Sequence, residues 1–140
     1  MTAAAPAGLL RRLAAMTYDG LLVGAVLFVA SIPLVYLPDT LAARPLVQLY
    51  LLGVIFLFFA VPWVRGGQTL GMRAWRVKVV ACADLGPIGW GGATRRFVAS
   101  LLSWACLGLG FAWVLVDPDR LAWHDRLSGT RLIVVPRIGN

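Results

Sequence analysis

Three long stretches of this chain are almost continuously apolar, and the charged residues gather between them. The first is Leu13–Leu37, whose only charge is Asp19. The second is Pro45–Val64, held between Arg44 and Arg65, and the third is Phe97–Val116, between Arg95–Arg96 and Asp117. A bilayer core takes about 20 apolar helical residues to cross, so each run is long enough. Pro33 and Pro38 break the first, which predicts a helix from Leu13 to about Ile32. The third carries Gly108 and Gly110 near its middle. Such glycines serve either close packing within a spanning helix or the tip of a re-entrant hairpin shielded by protein. Both readings stay open.

Between and after the runs the period changes. Trp75-Arg76-Val77-Lys78-Val79-Val80 alternates cationic and apolar residues, and Thr130–Val135 is β-branched and stops at Pro136. A lone strand leaves its backbone unpaired, so these two are predicted to pair. Gly67–Gly71 reads as a tight turn leaving the second helix, and Asp84–Pro87 as a second turn. The fold class predicted is an all-α membrane protein. It has two transmembrane helices, a third spanning or re-entrant apolar segment, and a small cytoplasmic β-pair. The divisions are a short N-terminal segment (1–10), a membrane domain (11–136) and a C-terminal tail (137–140).

Composition agrees with the pattern. Of 140 residues, 60% are hydrophobic, against about 45–50% apolar in soluble domains. The formal charge of +7 would suit nucleic acid only if the cations formed a stripe with stacking aromatics. They flank apolar runs instead, so anionic lipid headgroups are the expected partner and nucleic acid is not. The six tryptophans stand mostly near run ends, as in an interfacial belt. Arg11 and Arg12, and six Arg or Lys between Arg65 and Arg96, outweigh the single Arg44 of the first connection. By the positive-inside rule the N-terminus and second connection face the cytoplasm. Four arginines in the tail place it there too, which favours a re-entrant or tilted third segment. Met1–Leu10 lacks a cationic leader region, so the first helix is expected to act as its own insertion signal. Cys82 and Cys106 have no metal-ligand or CxxC spacing.

Asp19 is the leading candidate for chemistry. Arg12 lies seven residues before it, two helical turns or roughly 10 Å away on nearly the same face. A carboxylate in hydrocarbon costs about 2.5–3.5 kcal/mol at the bilayer centre, so Asp19 should face a partner or a polar cavity. One group that takes either a proton or a monovalent cation is a minimal antiport element. The plainer alternative is an ion pair that fixes helix packing. Arg12 either anchors at headgroups or pairs with Asp19 or Asp125. His124-Asp125 offers a proton relay or, more simply, an Asp125 that caps the turn at Ser128-Gly129-Thr130 or pairs with an arginine of the second connection. Gln68 and Thr69 are secondary candidates in the Gly67–Gly71 turn, which lacks the Gly-Lys-Ser/Thr ending of a phosphate loop.

The ordered set Arg11-Arg12-Leu13-Ala14-Ala15-Met16-Thr17-Tyr18-Asp19, then Gly67-Gln68-Thr69-Leu70-Gly71-Met72-Arg73 before Val77–Val80, then His124-Asp125-Arg126-Leu127-Ser128-Gly129-Thr130, resembles the RDD family of bacterial membrane proteins. The likeness covers about residues 11–135. It maps Arg12, Asp19 and Asp125 onto the family's named arginine and two aspartates, with Arg11 the alternative arginine. Trp123 departs from it, since smaller polar or aliphatic residues are more usual before the His-Asp pair. The resemblance implies a multi-pass protein of the inner (plasma) membrane that transports an ion or small ligand, some relatives being similar to monovalent cation/proton antiporters. No enzyme, cofactor or metal centre is expected: there is one histidine, and Ser100, Ser103 and Ser128 stand in no nucleophile elbow. Three segments are few for alternating access, so a transporter of this size should oligomerise. A non-transporting accessory subunit that holds a membrane-protein partner is the alternative.

Overall fold

The computed structural model describes residues 5–136 except 39 and 42; the predicted tail 137–140 lies outside the described residues. Helix α1 spans Leu9–Ser31 and continues as a 3-10 turn over Ile32–Tyr36. It starts before the apolar run because Arg11 and Arg12 are good helix formers. Leu37, which precedes Pro38, is already extended, with ψ 142°. Helix α2 spans Arg44–Gly66, with Pro45 in its first turn, where a missing N–H costs nothing. At 23 residues each, the two helices measure roughly 35 Å. Both are long and apolar enough to cross a bilayer. They lie side by side, tied by the Tyr50 hydroxyl donating to the Ala30 carbonyl at 3.3 Å. Leu21, Phe28, Leu46 and Leu49 stand exposed on their outer faces, as surfaces that meet lipid or another helix do.

Gly67 ends α2 in the left-handed region, φ 71°. A Cβ there would lie 2.7 Å from the Val79 carbonyl oxygen, and the Gly67 carbonyl accepts the Val79 N–H at 2.7 Å. The turn after it is not simple. Thr69 caps a short helix α3, Leu70–Ala74, which the sequence pattern was too brief to announce. Strand β1 (Val77–Ala81) then pairs antiparallel with β2 (Thr130–Val134), from Val77↔Val134 to Ala81↔Thr130. The predicted pairing holds. β1 begins two residues later than expected because Arg76 turns the chain at φ 55°. The N-terminal segment joins the same layer. Ala7 N–H donates to the Leu132 carbonyl and Val134 N–H to the Ala5 carbonyl, both at 2.9 Å.

The third apolar run is not one straight span. Helix α4 (Trp90–Ala105) breaks at 106–108, and α5 (Leu109–Ala112) with the 3-10 turn Trp113–Leu115 leaves it at 107°. Leu107 and Gly108 are both left-handed at the break, φ 56° and 78°. Gly110 lets α5 fold back: a Cβ there would come within 2.7 Å of Ser103 Cβ and 3.1 Å of the Trp123 ring. Trp123 also packs against Trp113, ring centroids 6.0 Å apart. Asp117 braces the return, accepting from Leu121 N–H at 2.8 Å and pairing with Arg126. Helix α6 (Trp123–Ser128) then runs along α4 and leads into β2. Because β2 pairs with β1, the segment 90–128 starts and finishes on one side of the fold. The N-terminal residues 5–7 share that side. The core lies where α1, α2 and α4 meet the sheet, through Ala60, Trp63, Met72, Val77, Phe97 and Leu132.

Candidate functional site

Two buried polar clusters share one cavity beside the sheet. The first is centred on Asp125, wholly buried in the first turn of α6. Its Oδ2 takes Arg12 Nη1 and its Oδ1 takes Arg96 Nη1, each at 2.6 Å. Its Oδ2 also reaches back to the Ala122 N–H at 3.1 Å, capping α6. Arg12 is satisfied by two further acceptors, the Ala7 carbonyl at 3.0 Å and the Arg120 carbonyl at 3.1 Å. Arg96 Nη1 also donates to Thr130 Oγ1 at 2.7 Å, and Ser128 Oγ lies 2.7 Å from the same oxygen. This cluster ties the N-terminal segment, α1, α4, α6 and β2 into one unit.

Burial alone would favour the neutral acid of Asp125. The guanidiniums of Arg96 and Arg12 outweigh it and hold the carboxyl well below the usual carboxylate range. Burial acts the other way on His124, together with the charges of Arg96 and Arg12 and against that of Asp125, and lowers it to about 3. His124 is therefore neutral near pH 7. Its Nε2 stands 3.6 Å from Asp125 Oδ1, beyond a hydrogen bond. The pair is no proton relay at that pH; His124 packs on Phe111, centroids 4.7 Å apart.

Asp19 forms the second cluster, on the cavity wall and without the direct ion pair that was the plainer alternative. It is buried, as the cost of a lipid-facing carboxylate requires, but among the described residues no basic side chain stands within salt-bridge distance of it. Its Oδ1 accepts the Gly71 N–H at 2.8 Å and its Oδ2 accepts the Thr69 hydroxyl. Thr69 Oγ1 in turn accepts the Met72 N–H at 3.2 Å, so its own proton is free for Asp19. Both carboxylate oxygens accept, the pattern of an ionised group. Gly71 is needed for this approach, since a Cβ would fall 2.8 Å from Asp19 Cγ.

The cavity, about 190 Å³, lies between these clusters and is lined by Arg12, Asp19, Trp63, Thr69, Arg96 and His124 among apolar side chains. Arg12 and Arg96 against Asp125 leave one positive charge, which an ionised Asp19 balances. Arg96 lies over the Trp63 ring, 5.3 Å from its centroid. Of the other candidates, Arg11 is exposed on the far side of α1, and Gln68 Nε2 donates to the Val77 carbonyl at 2.8 Å, outside the cavity. Arg96 and Trp63 were not singled out from the sequence. A signal existed for Arg96: Ala93, Arg96, Ser100 and Ser103 recur at helical spacing, on the face that turns inward.

The model of the RDD family matches residues 6–129. Comparison with curated proteins and with solved structures gave no match. The matched stretch runs from the N-terminal segment through α6 and contains every residue of both clusters except Thr130. With its long apolar helices and its buried arginine and two aspartates in order, the chain belongs to the RDD family.

Proposed function

We propose that the protein is a multi-pass transporter of the inner membrane that exchanges a small ion or solute against protons, without an enzymatic step. Asp19 is the proton-exchanging group. The observation that carries this reading is a buried carboxylate on a cavity wall with no basic side chain in salt-bridge reach among the described residues. A carboxylate locked to an arginine holds its charge; one held by a hydroxyl and a backbone N–H is free to exchange it. The Arg12–Asp125–Arg96 cluster serves as the fixed frame. A cytoplasmic N-terminus, with 5–7 and both strands on that side, follows from the arginine distribution. The exposed faces of α1 and α2 offer the surface for a second copy, which so small a transporter needs.

Purified protein in liposomes carrying a pH-sensitive dye tests the proposal under Na⁺, K⁺ and Li⁺ gradients, the cation/proton form first. Proton movement driven by a solute gradient supports it. Silence at verified insertion, with a stoichiometric co-purifying membrane protein, selects the accessory subunit instead.

A further inference from the structure

Three buried side-chain nitrogens on the cavity wall have no hydrogen-bond partner: Trp63 Nε1, Arg96 Nε and His124 Nδ1. Each residue is more than nine-tenths buried. Buried polar atoms are nearly always paired, and an unmade bond is destabilising. Two of the three, Trp63 Nε1 and Arg96 Nε, can only donate. They are neighbours, because the Arg96 guanidinium lies on the Trp63 ring. Arg12, Asp19, Thr69 and Ser100 also reach the wall, and the remainder is apolar and aromatic, with Ile55, Phe59, Phe97, Leu101, Phe111 and Leu132 among it. A cavity of about 150 Å³ accepts a benzene ring, so this one, at about 190 Å³, has room for a ring-sized body with a small polar head.

We infer that the cavity binds a small monocarboxylate anion with an apolar body, its oxygens on Trp63 Nε1 and Arg96 Nε. The inference rests on the transport reading only for the location of the ligand. A carboxylate supplies acceptors alone, which is what the free donors lack. A cation supplies none and would stand beside two guanidiniums in a cluster already neutral. Asp19 then couples the two. Among the described residues the ionisable groups lining the cavity are Arg12 and Asp19 from α1, Arg96 from α4 and His124 from α6; α2, α3 and the strands contribute none. Protonating Asp19 changes the balance from neutral to one positive charge, so the cavity holds an anion best while Asp19 carries its proton.

Calorimetry on the purified full chain in detergent, with benzoate, benzamide and benzylammonium at pH 7, reads the charge preference directly. Benzoate is expected to bind roughly tenfold or more tightly than benzamide, with no binding of benzylammonium. Trp63→Phe keeps an aromatic ring under Arg96 and removes one donor, so benzoate should weaken by roughly tenfold in a variant that still unfolds cooperatively, at a somewhat lower melting temperature. Asp19→Asn removes the opposing charge and should tighten benzoate. Equal binding of all three compounds, preference for benzylammonium, no binding at all, or an unaffected Trp63→Phe each overturns the inference. Benzoate binding without flux in liposomes keeps the anion site and sinks the transport reading. Cation flux without benzoate binding does the reverse.

Discussion

Asp125 holds Arg12 at 2.6 Å across 113 positions of sequence, while Asp19, on the same helix as Arg12, takes no part in that pair. Arg12 is thus bound to the distant aspartate, and the nearer one is left facing the cavity. That division assigns a structural role to one acid and leaves the other available.

Asp125→Asn should be the most damaging single change in the cluster. It leaves Arg12 and Arg96 buried without their counter-charge, a loss of about 3–5 kcal/mol. Unfolding in detergent should show this loss. Replacing Arg12, Arg96 and Asp125 together by apolar residues of similar volume should cost less than the single change, because no guanidinium is then left buried without its counter-charge.

Stability should also depend on pH through His124. Its folded value of about 3 lies below the ordinary value near 6.5. Above pH 6.5 both states are neutral there and its contribution is complete. As pH falls from 6.5 towards 3 the unfolded chain takes up a proton that the folded chain refuses, and stability drops by up to about 1.4 kcal/mol per pH unit. Melting temperatures between pH 7 and 5 should fall, and His124→Phe should flatten that slope. Asp125 adds nothing in this window; held below the carboxylate range, it costs stability only when pH falls through and below ordinary carboxylate values.

Gly71→Ala should separate α3 from α1. Its Cβ meets Asp19 and the Ala15 carbonyl, and overpacking of this kind costs about 1–3 kcal/mol. Gly53→Ala is the control, since a Cβ there meets nothing within 4 Å. The control should match the parent or exceed it slightly in a denaturant titration.

Topology follows from the sheet. Cys82, just after β1, and a cysteine introduced by Pro136→Cys, just after β2, should react with an impermeant thiol reagent from the same side of the membrane. Leu41→Cys, in the connection between α1 and α2, should react from the other. The single-site variants carry Cys106→Ala, and the latter two also Cys82→Ser. Labelling of the Pro136→Cys site together with the Leu41→Cys site would contradict the pairing of β1 with β2 in the membrane.

The two long apolar helices and the strand pair were legible because their patterns are long or clean: about 20 mostly apolar residues almost free of charge, or alternation that stops at Pro136. Arg12, Asp19 and Asp125 were legible as well, and their partners only as alternatives. These were Arg12 with Asp19 or Asp125, and Asp125 with an arginine of the second connection or with its own turn; the structure takes Arg12 and Arg96 on Asp125. Helical spacing put Arg12 and Asp19 on one face, yet two turns of separation is too far for a direct pair, and Arg12 turns to Asp125 instead. Nothing local encodes that choice; it depends on β2 returning to β1. Helix α3 was hidden because five residues hold little more than one period. The break at 106–108 was visible as an ambiguity in Gly108 and Gly110, and only the packing of Gly110 on Ser103 and Trp123 resolves it.

The most direct measurement is solute-driven proton flux in liposomes for Asp19→Asn beside the parent, with melting temperature recorded for both. Asn keeps the shape, its Oδ1 can still accept the Gly71 N–H and its Nδ2 can donate to the Thr69 hydroxyl oxygen, but it cannot exchange a proton. Flux should vanish while the variant stays inserted, monodisperse and within a few degrees of the parent's melting point. Full flux in Asp19→Asn, or lost flux with an equally collapsed melting curve, would leave Asp19 a brace for α3 and contradict its role in exchange.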